Sequence, residues 1–377
     1  MVPALTPVPQ TLAMQDLCDA SHYGAADPEV VAATVTRIGD GDGDAWLREW
    51  TQAGGEAWAT AKRTGDAELF RHAASYYAAA LTAIADSDGA VDETQLWHRQ
   101  RDCWELAVAY GGGQPAPVPY EGPALPGYFF AGGPGRRPLV IIDPGGLAPT
   151  SRTWGLAGAE AHARGYHWMT FDGPGGRAVS PGDGLLLRHD WEAVLAPVAD
   201  AMIGRPDVDG ARMAVVGAEM AGFGVARALA YEHRFAAAAL VPGIVDASRP
   251  WLAALVPTVL RALLDGDRNA FDRELHLAEL FAPGTTQRLR RAADGFGAAR
   301  APLYDIYQRI RCFALGEEVA QITTPLLVSS PAADGGGMTP WAGQGCELHE
   351  RLSSPATLCL DATGPEPILD WLDRHLL

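Results

Sequence analysis

The sequence is short of basic residues. Its 377 residues include 29 lysines and arginines against 46 aspartates and glutamates, which gives a formal net charge of −17 at pH 7. Nucleic acids and anionic membrane surfaces are bound through clustered lysine and arginine side chains. We therefore expect no nucleic acid and no membrane among the partners of this protein.

Other features are missing as well. No apolar run approaches the roughly 20 residues that a membrane-spanning helix needs, and the first residues lack the basic segment and long apolar stretch of a secretory signal. The five cysteines are widely spaced, without a Cys-x-x-Cys pair or metal-ligand spacing. No glycine-rich phosphate-binding motif is present. These absences predict a cytoplasmic protein with reduced thiols, no metal site and no cofactor.

Helical periodicity dominates the first part of the chain. Four tryptophans follow this spacing, namely Trp46, Trp50, Trp97 and Trp104. Asp66 and Asp92 stand where helix N-caps are expected. We interpret the aromatic stripe as core packing, with a pocket wall as the alternative. The pattern predicts a helical N-terminal lid domain over residues 1–112.

Short apolar runs alternate with helical segments in the rest of the chain. The runs are RPLVIID, YHWMTF, RMAVVGA, AAALV, PLLVSS and ATLCL. This alternation predicts an α/β domain over residues 113–377, with a mostly parallel sheet and helices on both faces. A helical insertion is predicted at about 247–316. The loops at the carboxyl edge of the sheet are the expected place of the active site.

The stretch AVVGAEMAGFG, residues 214–224, has the layout of a sharp turn from a strand to a helix. A β-branched run enters a glycine, and small residues lead into a helix. Gly-x-Ser-x-Gly enzymes raise their nucleophile on such a turn. Glu219 stands at the apex here, so the sequence predicts a carboxylate at the floor of a pocket.

Several stretches together resemble the FrsA-like α/β-hydrolases, which include 2,6-dihydroxypseudooxynicotine hydrolase and a fungal heptaketide chain-shortening hydrolase. The stretches are VPYEGPALPGYFF, RPLVIIDPGG, ARGYHWMTFDGPGG, RHDWEAVLAPVADAMIGRPDVDGARMAVVG and ARALAYEHRFAAAAL. The resemblance runs from about residue 40 to the C-terminus. It implies an α/β-hydrolase fold with a helical lid, and a homodimer. It also implies cleavage of C–C or acyl bonds in aromatic or polyketide-like substrates by a Ser-His-Asp triad.

The triad of that family carries over only in part. Glu219 occupies the serine position, and Asp334 lies near the acid position, as a shifted equivalent or a bystander. The loop that carries the histidine in the family reads DATGPE here, over residues 361–366. His349 and His375 fall in predicted helices instead. The resemblance therefore implies that the usual acyl-enzyme route is closed.

The family pattern also implies an oxyanion cradle built from backbone N–H groups. Its candidate donors are the amide of Met220 and that of Gly146 or Leu147. Asp143 precedes the loop with these glycines and leucine. We expect Asp143 either to orient Glu219 or the substrate, or to hold a turn.

Two further sets of residues are weaker candidates. Tyr304, Tyr307 and Arg311 are spaced at helical intervals in PLYDIYQRIR. They are predicted to present one polar face to the pocket or, alternatively, to pack at the domain interface. Asp172, in FDGPGG, is interpreted as a turn-forming carboxylate.

Three functional classes remain open. A carboxylate base opposite amide donors suits proton removal next to a carbonyl. The main hypothesis is therefore a cofactor-independent lyase or cyclase acting on a small, polyketide-like or aromatic substrate. The second is a C–C or ester hydrolase, in which Glu219 activates water with Asp334 assisting, or attacks as a covalent nucleophile. The third is a catalytically inert ligand-binding protein.

Overall fold

The computed structural model of the protein describes most of the chain. The described residues are 17, 21–39, 43–83, 92–146, 148–175, 185–298, 300–331, 341–360 and 364–377.

Within the described residues, a single eight-stranded sheet forms the centre of the molecule. Its strands are β1 (Gly113–Pro115), β2 (Gly127–Phe130), β3 (Arg137–Asp143), β4 (His167–Phe171), β5 (Val208–Ala218), β6 (Ala237–Val241), β7 (Leu326–Ser329) and β8 (Ala356–Cys359). The spatial order is β1-β2-β4-β3-β5-β6-β7-β8. The pairs that involve β2 are antiparallel and all others are parallel. The predicted, mostly parallel sheet is confirmed.

Helices cover both faces of this sheet. Within the described residues, four precede it: α1 (Pro28–Ile38), α2 (Gly43–Thr64), α3 (Ala67–Leu81) and α4 (Glu93–Tyr110). Three lie between strands β3 and β6: α5 (Ala159–Ala163), α6 (Glu192–Ile203) and α7 (Met220–Leu229). The insertion between β6 and β7 holds α8 (Arg249–Ala253), α9 (Pro257–Leu264), α10 (Arg268–Phe281), α11 (Thr285–Ala292) and α12 (Leu303–Ile310). The last two are α13 (Gln344–Arg351) and α14 (Glu366–Leu376).

Both helix starts that were predicted from capping residues are observed. The side chain of Asp66 accepts a hydrogen bond from the backbone N–H of Glu68, and that of Asp92 accepts one from Gln95. Both N-cap predictions are confirmed, because each carboxylate satisfies an N–H group that has no partner within its helix. Among the described helices, none is long and apolar enough to cross a membrane.

The N-terminal helices share a hydrophobic core with one face of the sheet. Trp50 and Trp104 belong to the same buried cluster as Phe130 and Trp168 of the sheet. The rings of Phe130 and Trp168 are stacked with their centroids 4.0 Å apart. Burial of Trp46, Trp50 and Trp104 agrees with the interpretation of the aromatic stripe as core packing, whereas Trp97 is only partly buried. The described N-terminal helices therefore share one hydrophobic core with the sheet.

The opposite face of the sheet packs against α6, α7 and the insertion. Alternate residues of β3 divide between the two cores: Leu139 and Ile141 face this side, whereas Val140 and Ile142 face the N-terminal helices. This alternation is the period of two expected for a strand. Because both faces are covered, the strands are continuous apolar runs rather than mixed ones.

Helix α7 lies very close to the chain that follows β6. A Cβ atom built on Gly222 would stand 1.9 Å from the carbonyl oxygen of Pro242. Such a contact cannot be relieved by a side-chain movement, because the opposing atom belongs to the backbone. The glycine thus fixes how closely α7 approaches the end of β6.

Replacement of Gly222 by alanine should lower the free energy of unfolding by about 2–3 kcal/mol. This loss is expected even though alanine is favoured over glycine within a helix by about 1 kcal/mol. Urea unfolding of the wild type and the variant measures it. The control is Gly122→Ala, since no atom lies within 4 Å of the Cβ position there. Equal losses in the two variants would contradict the close approach of α7.

Candidate active site

Glu219 occupies the apex of the turn between β5 and α7. Its backbone has φ 50° and ψ −121°, and among the described residues it is the only non-glycine with positive φ. Two hydrogen bonds hold this conformation: the Glu219 N–H donates to the carbonyl of Val241 at 2.9 Å, and the Gly222 N–H donates to the Glu219 carbonyl at 2.8 Å. A side chain in this region of φ and ψ costs on the order of 1–3 kcal/mol and is typical of functional sites.

The glycine before the apex is required by the sharpness of the turn. A Cβ atom at Gly217 would stand 2.5 Å from the carbonyl oxygen of Ala221. Only glycine therefore lets the first turn of α7 fold back over the end of β5. The turn raises the Glu219 side chain above the carboxyl edge of the sheet, where the sequence predicts it.

A cavity of about 320 Å³ opens beside Glu219. It lies between α3, the segment after β3, the turn at Glu219 and the start of α14. Most of the described residues that line it are apolar or small, and they include Ala78, Ala79, Pro144, Pro149, Leu156, Val241 and Ile368. Hydroxyl groups come from Tyr23, Ser75 and Thr82, among others. A cavity of this size and character fits a small organic molecule.

Arg152 shares the cavity with Glu219. Its Nη1 atom lies 2.7 Å from Oε1 of Glu219, and the two side chains are 33% and 40% exposed, respectively. Both line the cavity, so the exposed parts of the pair face the space that a ligand would occupy. The pair thus places a carboxylate and a guanidinium side by side at the cavity.

The segment that carries Arg152 is anchored from both sides. It is a 3₁₀ turn, Thr150–Arg152, followed by a π-helical turn, Trp154–Gly158. Nε2 of Gln100, on α4, donates to the Ser151 hydroxyl at 2.7 Å in a buried contact. The Thr150 side chain is hydrogen-bonded to buried Asp172. Asp172 thus fixes this segment, a role that the turn interpretation did not include.

One wall of the cavity is held by a contact between residues far apart in sequence. The hydroxyl of Tyr23 donates to the carboxylate of Glu366, 2.8 and 2.9 Å from its two oxygens. Tyr23 lines the cavity, as do Gly364 and Pro365. Nε1 of Trp154 donates to the Tyr23 carbonyl at 2.8 Å, which fixes the same residue to the segment after β3.

Asp143 holds a turn rather than the cavity. It is fully buried at the end of β3 and does not line the cavity. Its carboxylate accepts hydrogen bonds from the Gly145 N–H at 2.8 Å and from Nε1 of Trp191 at 2.6 Å. Burial raises the pKa of Asp143 to about 6, against the effect of these two bonds. These contacts agree with the turn-holding role, one of its two expected roles, and the catalytic role of Asp143 stays a prediction.

The glycine loop after β3 lies against the first turn of α7. A Cβ atom on Gly145 would stand 2.6 Å from the amide nitrogen of Ala221, and Gly146 has φ 74°. Met220 is the first residue of α7, where N–H groups have no acceptor within the helix. Gly146 and Met220 as oxyanion donors stay a prediction. Leu147 lies outside the described residues.

The polar face predicted from Tyr304, Tyr307 and Arg311 does not line the cavity. Tyr307 is fully buried on α12, and Tyr304 packs edge-on against Phe271 of α10 with the ring centroids 5.4 Å apart. Nη1 of Arg311 donates to the carbonyl of Leu263 at 3.2 Å. None of these three candidates lines the cavity beside Glu219. Their placement agrees with the packing alternative. Tyr304 and Arg311 are hydrogen-bonded within the insertion, and the Tyr307 ring packs beside Phe271, although its buried hydroxyl has no hydrogen-bond partner among the described residues.

Two predicted features fall on residues that the structure does not describe. Asp334 lies in one such segment, so its role as an assisting acid stays a prediction. Residues 361–363, at the position where the resembled family carries its histidine, lie in another. His349 and His375 are on α13 and α14, respectively, as predicted from the sequence.

Sequence reasoning missed Arg152 altogether. The only signal was its position in GGLAPTSRTWG, between the end of a strand and a helix at the carboxyl edge of the sheet. That signal places many loop residues near the site and does not single out one of them.

Solved structures decide the fold. The crystal structure of 2,6-dihydroxy-pseudo-oxynicotine hydrolase superposes with a TM-score of 0.69 over 96% of both chains, at 16% sequence identity. The chain has the α/β-hydrolase fold.

Sequence comparison finds relatives that are named as an alpha/beta hydrolase or as a hydrolyase. Alpha/beta hydrolase psoB of Aspergillus fumigatus is 30% identical over 256 residues, which cover 62% of this chain and 57% of that protein. Hydrolyase poxO of Penicillium oxalicum is 28% identical over 234 residues, 57% of this chain and 56% of that protein. The chain thus spans little more than half the length of these relatives. No model of a known protein family matches it.

Stability should depend on pH through Asp172. Burial raises the pKa of this carboxyl to about 7, with the charge of Arg101 and the bond from Thr150 opposing the shift. The folded state therefore holds the proton more tightly than the unfolded chain. The stability that the protonated Asp172 carboxyl contributes is complete at low pH. It is lost as the pH rises from about 4 to about 7, and this loss is on the order of 2–4 kcal/mol.

Asp172→Asn should remove this pH dependence, since its amide oxygen still accepts the bond from Thr150 and never ionises. Urea unfolding at pH 5, 6, 7 and 8 should show the variant gaining stability over the wild type as the pH rises. Exposed Asp265 supplies the control variant, Asp265→Asn. A difference between wild type and Asp172→Asn that stays constant with pH would refute the assignment.

Proposed function

We propose that the protein is a cofactor-independent enzyme that tailors a polyketide-like secondary metabolite by non-hydrolytic acid–base chemistry. The reaction is an elimination, a dehydration or a cyclisation, with Glu219 as the catalytic acid and base. One observation carries the proposal: the Glu219 side chain lines a largely apolar cavity from the apex of a strained turn. At the equivalent turn, Gly-x-Ser-x-Gly enzymes present their nucleophile.

The chemistry begins at a carbon next to a carbonyl group. The Glu219 carboxylate accepts a proton from this carbon, and the carbonyl oxygen takes up the negative charge. In this proposal, backbone N–H groups at Met220 and Gly146 stabilise that oxygen. Protonated Glu219 then returns the proton to a departing hydroxyl group, or the carbanion closes a ring on a second carbonyl. Such positioned proton transfer contributes typically about 10²–10⁴-fold.

The names of the relatives support an enzyme of this kind. One is named an alpha/beta hydrolase and the other a hydrolyase, and removal of water is the lyase chemistry proposed here. We extend the proposal to the finer family and assign the chain to the FrsA-like α/β-hydrolases, as a cytoplasmic homodimer in which Glu219 replaces the nucleophilic serine. The loop over residues 361–366 has no histidine to support an acyl-enzyme.

Replacement of Glu219 by glutamine should lower turnover by about 10²–10⁴-fold, because the amide cannot accept the proton. A suitable probe is 4-hydroxy-4-phenylbutan-2-one, whose dehydration yields a conjugated enone that is followed by ultraviolet absorbance. Circular dichroism establishes that the variant is folded. Exposed Glu350 provides the matched control, and Glu350→Gln should keep full activity. Unchanged turnover in Glu219→Gln would rule out the proposal.

Hydrolysis is the second candidate, because the superposed structure is that of a hydrolase. It would use Glu219 to activate water. With 4-nitrophenyl acetate in H₂¹⁸O, a hydrolase places the label in the acetate, and the release must depend on Glu219. We expect no Glu219-dependent release of labelled acetate, and its detection would favour hydrolysis over elimination.

Serine-directed reagents test whether an activated serine acts as the nucleophile. A fluorophosphonate probe should not label the wild-type protein, because the apex carries a carboxylate and not an activated hydroxyl group. In-gel fluorescence, with a serine esterase as the positive control, measures the labelling. Labelling at a serine that abolishes turnover would show that a different nucleophile operates.

A further inference from the structure

We propose that Arg152 is a catalytic residue that takes over the negative charge created by proton removal, and that the site therefore selects uncharged 1,3-dicarbonyl compounds. This inference rests on the proposed function, because it concerns where the charge goes after Glu219 accepts the proton.

The charge of the cavity argues for an uncharged substrate. Arg152 and Glu219 are the charged residues among the described residues that line it, and they form one pair with Nη1 and Oε1 2.7 Å apart. The pair carries no net charge. An anionic substrate would approach the guanidinium at the cost of repulsion from the carboxylate, whereas a neutral carbonyl compound meets no such penalty.

The proton transfer moves the charge without changing its total. The C–H bond between the two carbonyls breaks, its electron pair forms the C=C bond of the enolate, and a carbonyl electron pair moves onto oxygen. The proton forms an O–H bond on the Glu219 carboxylate, which becomes neutral. The attraction between Arg152 and Glu219 is lost at the same moment as an attraction between Arg152 and the enolate is gained. No oxidant or other reactant is needed.

The geometry of the guanidinium explains the preference for a 1,3-dicarbonyl compound. Its N–H donors form a planar fork that binds two oxygens of one anion side by side. The enolate of a 1,3-dicarbonyl presents two oxygens that share the charge, much as a carboxylate does. The enolate of a simple ketone presents one. Nη1 of Arg152 already contacts one carboxylate oxygen of Glu219 at 2.7 Å. In the proposal, the fork binds both oxygens of the enolate from a similar position.

The anchoring of the segment makes this exchange efficient. The neighbours Thr150 and Ser151 are hydrogen-bonded to buried Asp172 and Gln100, respectively. The backbone of Arg152 is therefore held in place before the charge moves. A fixed donor group stabilises a developing charge more than a mobile one, because no reorganisation is needed during the reaction.

Glu219→Gln provides the test, because glutamine has the shape of protonated glutamate. The probe is 1-phenylbutane-1,3-dione, whose enolate has its own ultraviolet absorbance. Bound to Glu219→Gln, it should ionise at a pH at least one unit below that of the free compound. The double variant Glu219→Gln/Arg152→Gln should lose the shift, and Glu219→Gln/Arg152→Lys should keep part of it, since lysine retains the charge without the fork.

The matched control is Glu219→Gln/Arg249→Gln, which removes an arginine that does not line the cavity and should keep the full shift. An equal shift in all variants, or no saturable binding of the dione, would overturn the inference.

The outcome is independent of the test of Glu219 itself. Loss of dehydration in Glu219→Gln with a shift that does not need Arg152 leaves the proposed function intact and overturns this inference. If the shift in the ionisation of the dione needs Arg152 but dehydration is unaffected by Glu219→Gln, the proposed function is overturned and the role of Arg152 is retained.

Discussion

The candidate site depends on the close approach of backbone to backbone around the first turn of α7. Gly217 and Gly222 allow this approach, since a Cβ atom on either would meet a carbonyl oxygen within 2.5 Å. Gly145 allows the glycine loop after β3 to reach the same turn. The residue at the apex is thereby forced to positive φ, and its side chain has nowhere to point but above the sheet. The position of Glu219 is therefore a property of its neighbours more than of glutamate itself.

The polar groups of the site are few, and most of its walls are not polar. A single charged pair, Arg152 and Glu219, stands in an otherwise largely apolar cavity. The two side chains are 33% and 40% exposed, so water screens the attraction between them. The apolar walls favour apolar and aromatic molecules over charged ones.

Much of the fold could be predicted because its signals are local. Apolar runs such as RPLVIID predict the strands. Asp66 and Asp92 predict two helix starts, and GAEMAG predicts the turn at Glu219. Arg152 could not be predicted, because its contact with Glu219 joins residues far apart in the chain. Helical spacing predicts that Tyr304 and Tyr307 share one face of a helix, but it does not show what that face packs against. In the structure, it packs against other helices of the insertion. The N-terminal helices were recognised, but their sharing of a core with the sheet depends on tertiary packing.

The bond between Tyr23 and Glu366 ties together two parts of the chain that are synthesised at very different times. The turn at Glu219 comes from the middle of the sequence, whereas Tyr23 and Pro365 line the cavity from segments far apart in the chain. The lining of the cavity is therefore complete only when both of these distant segments are in place.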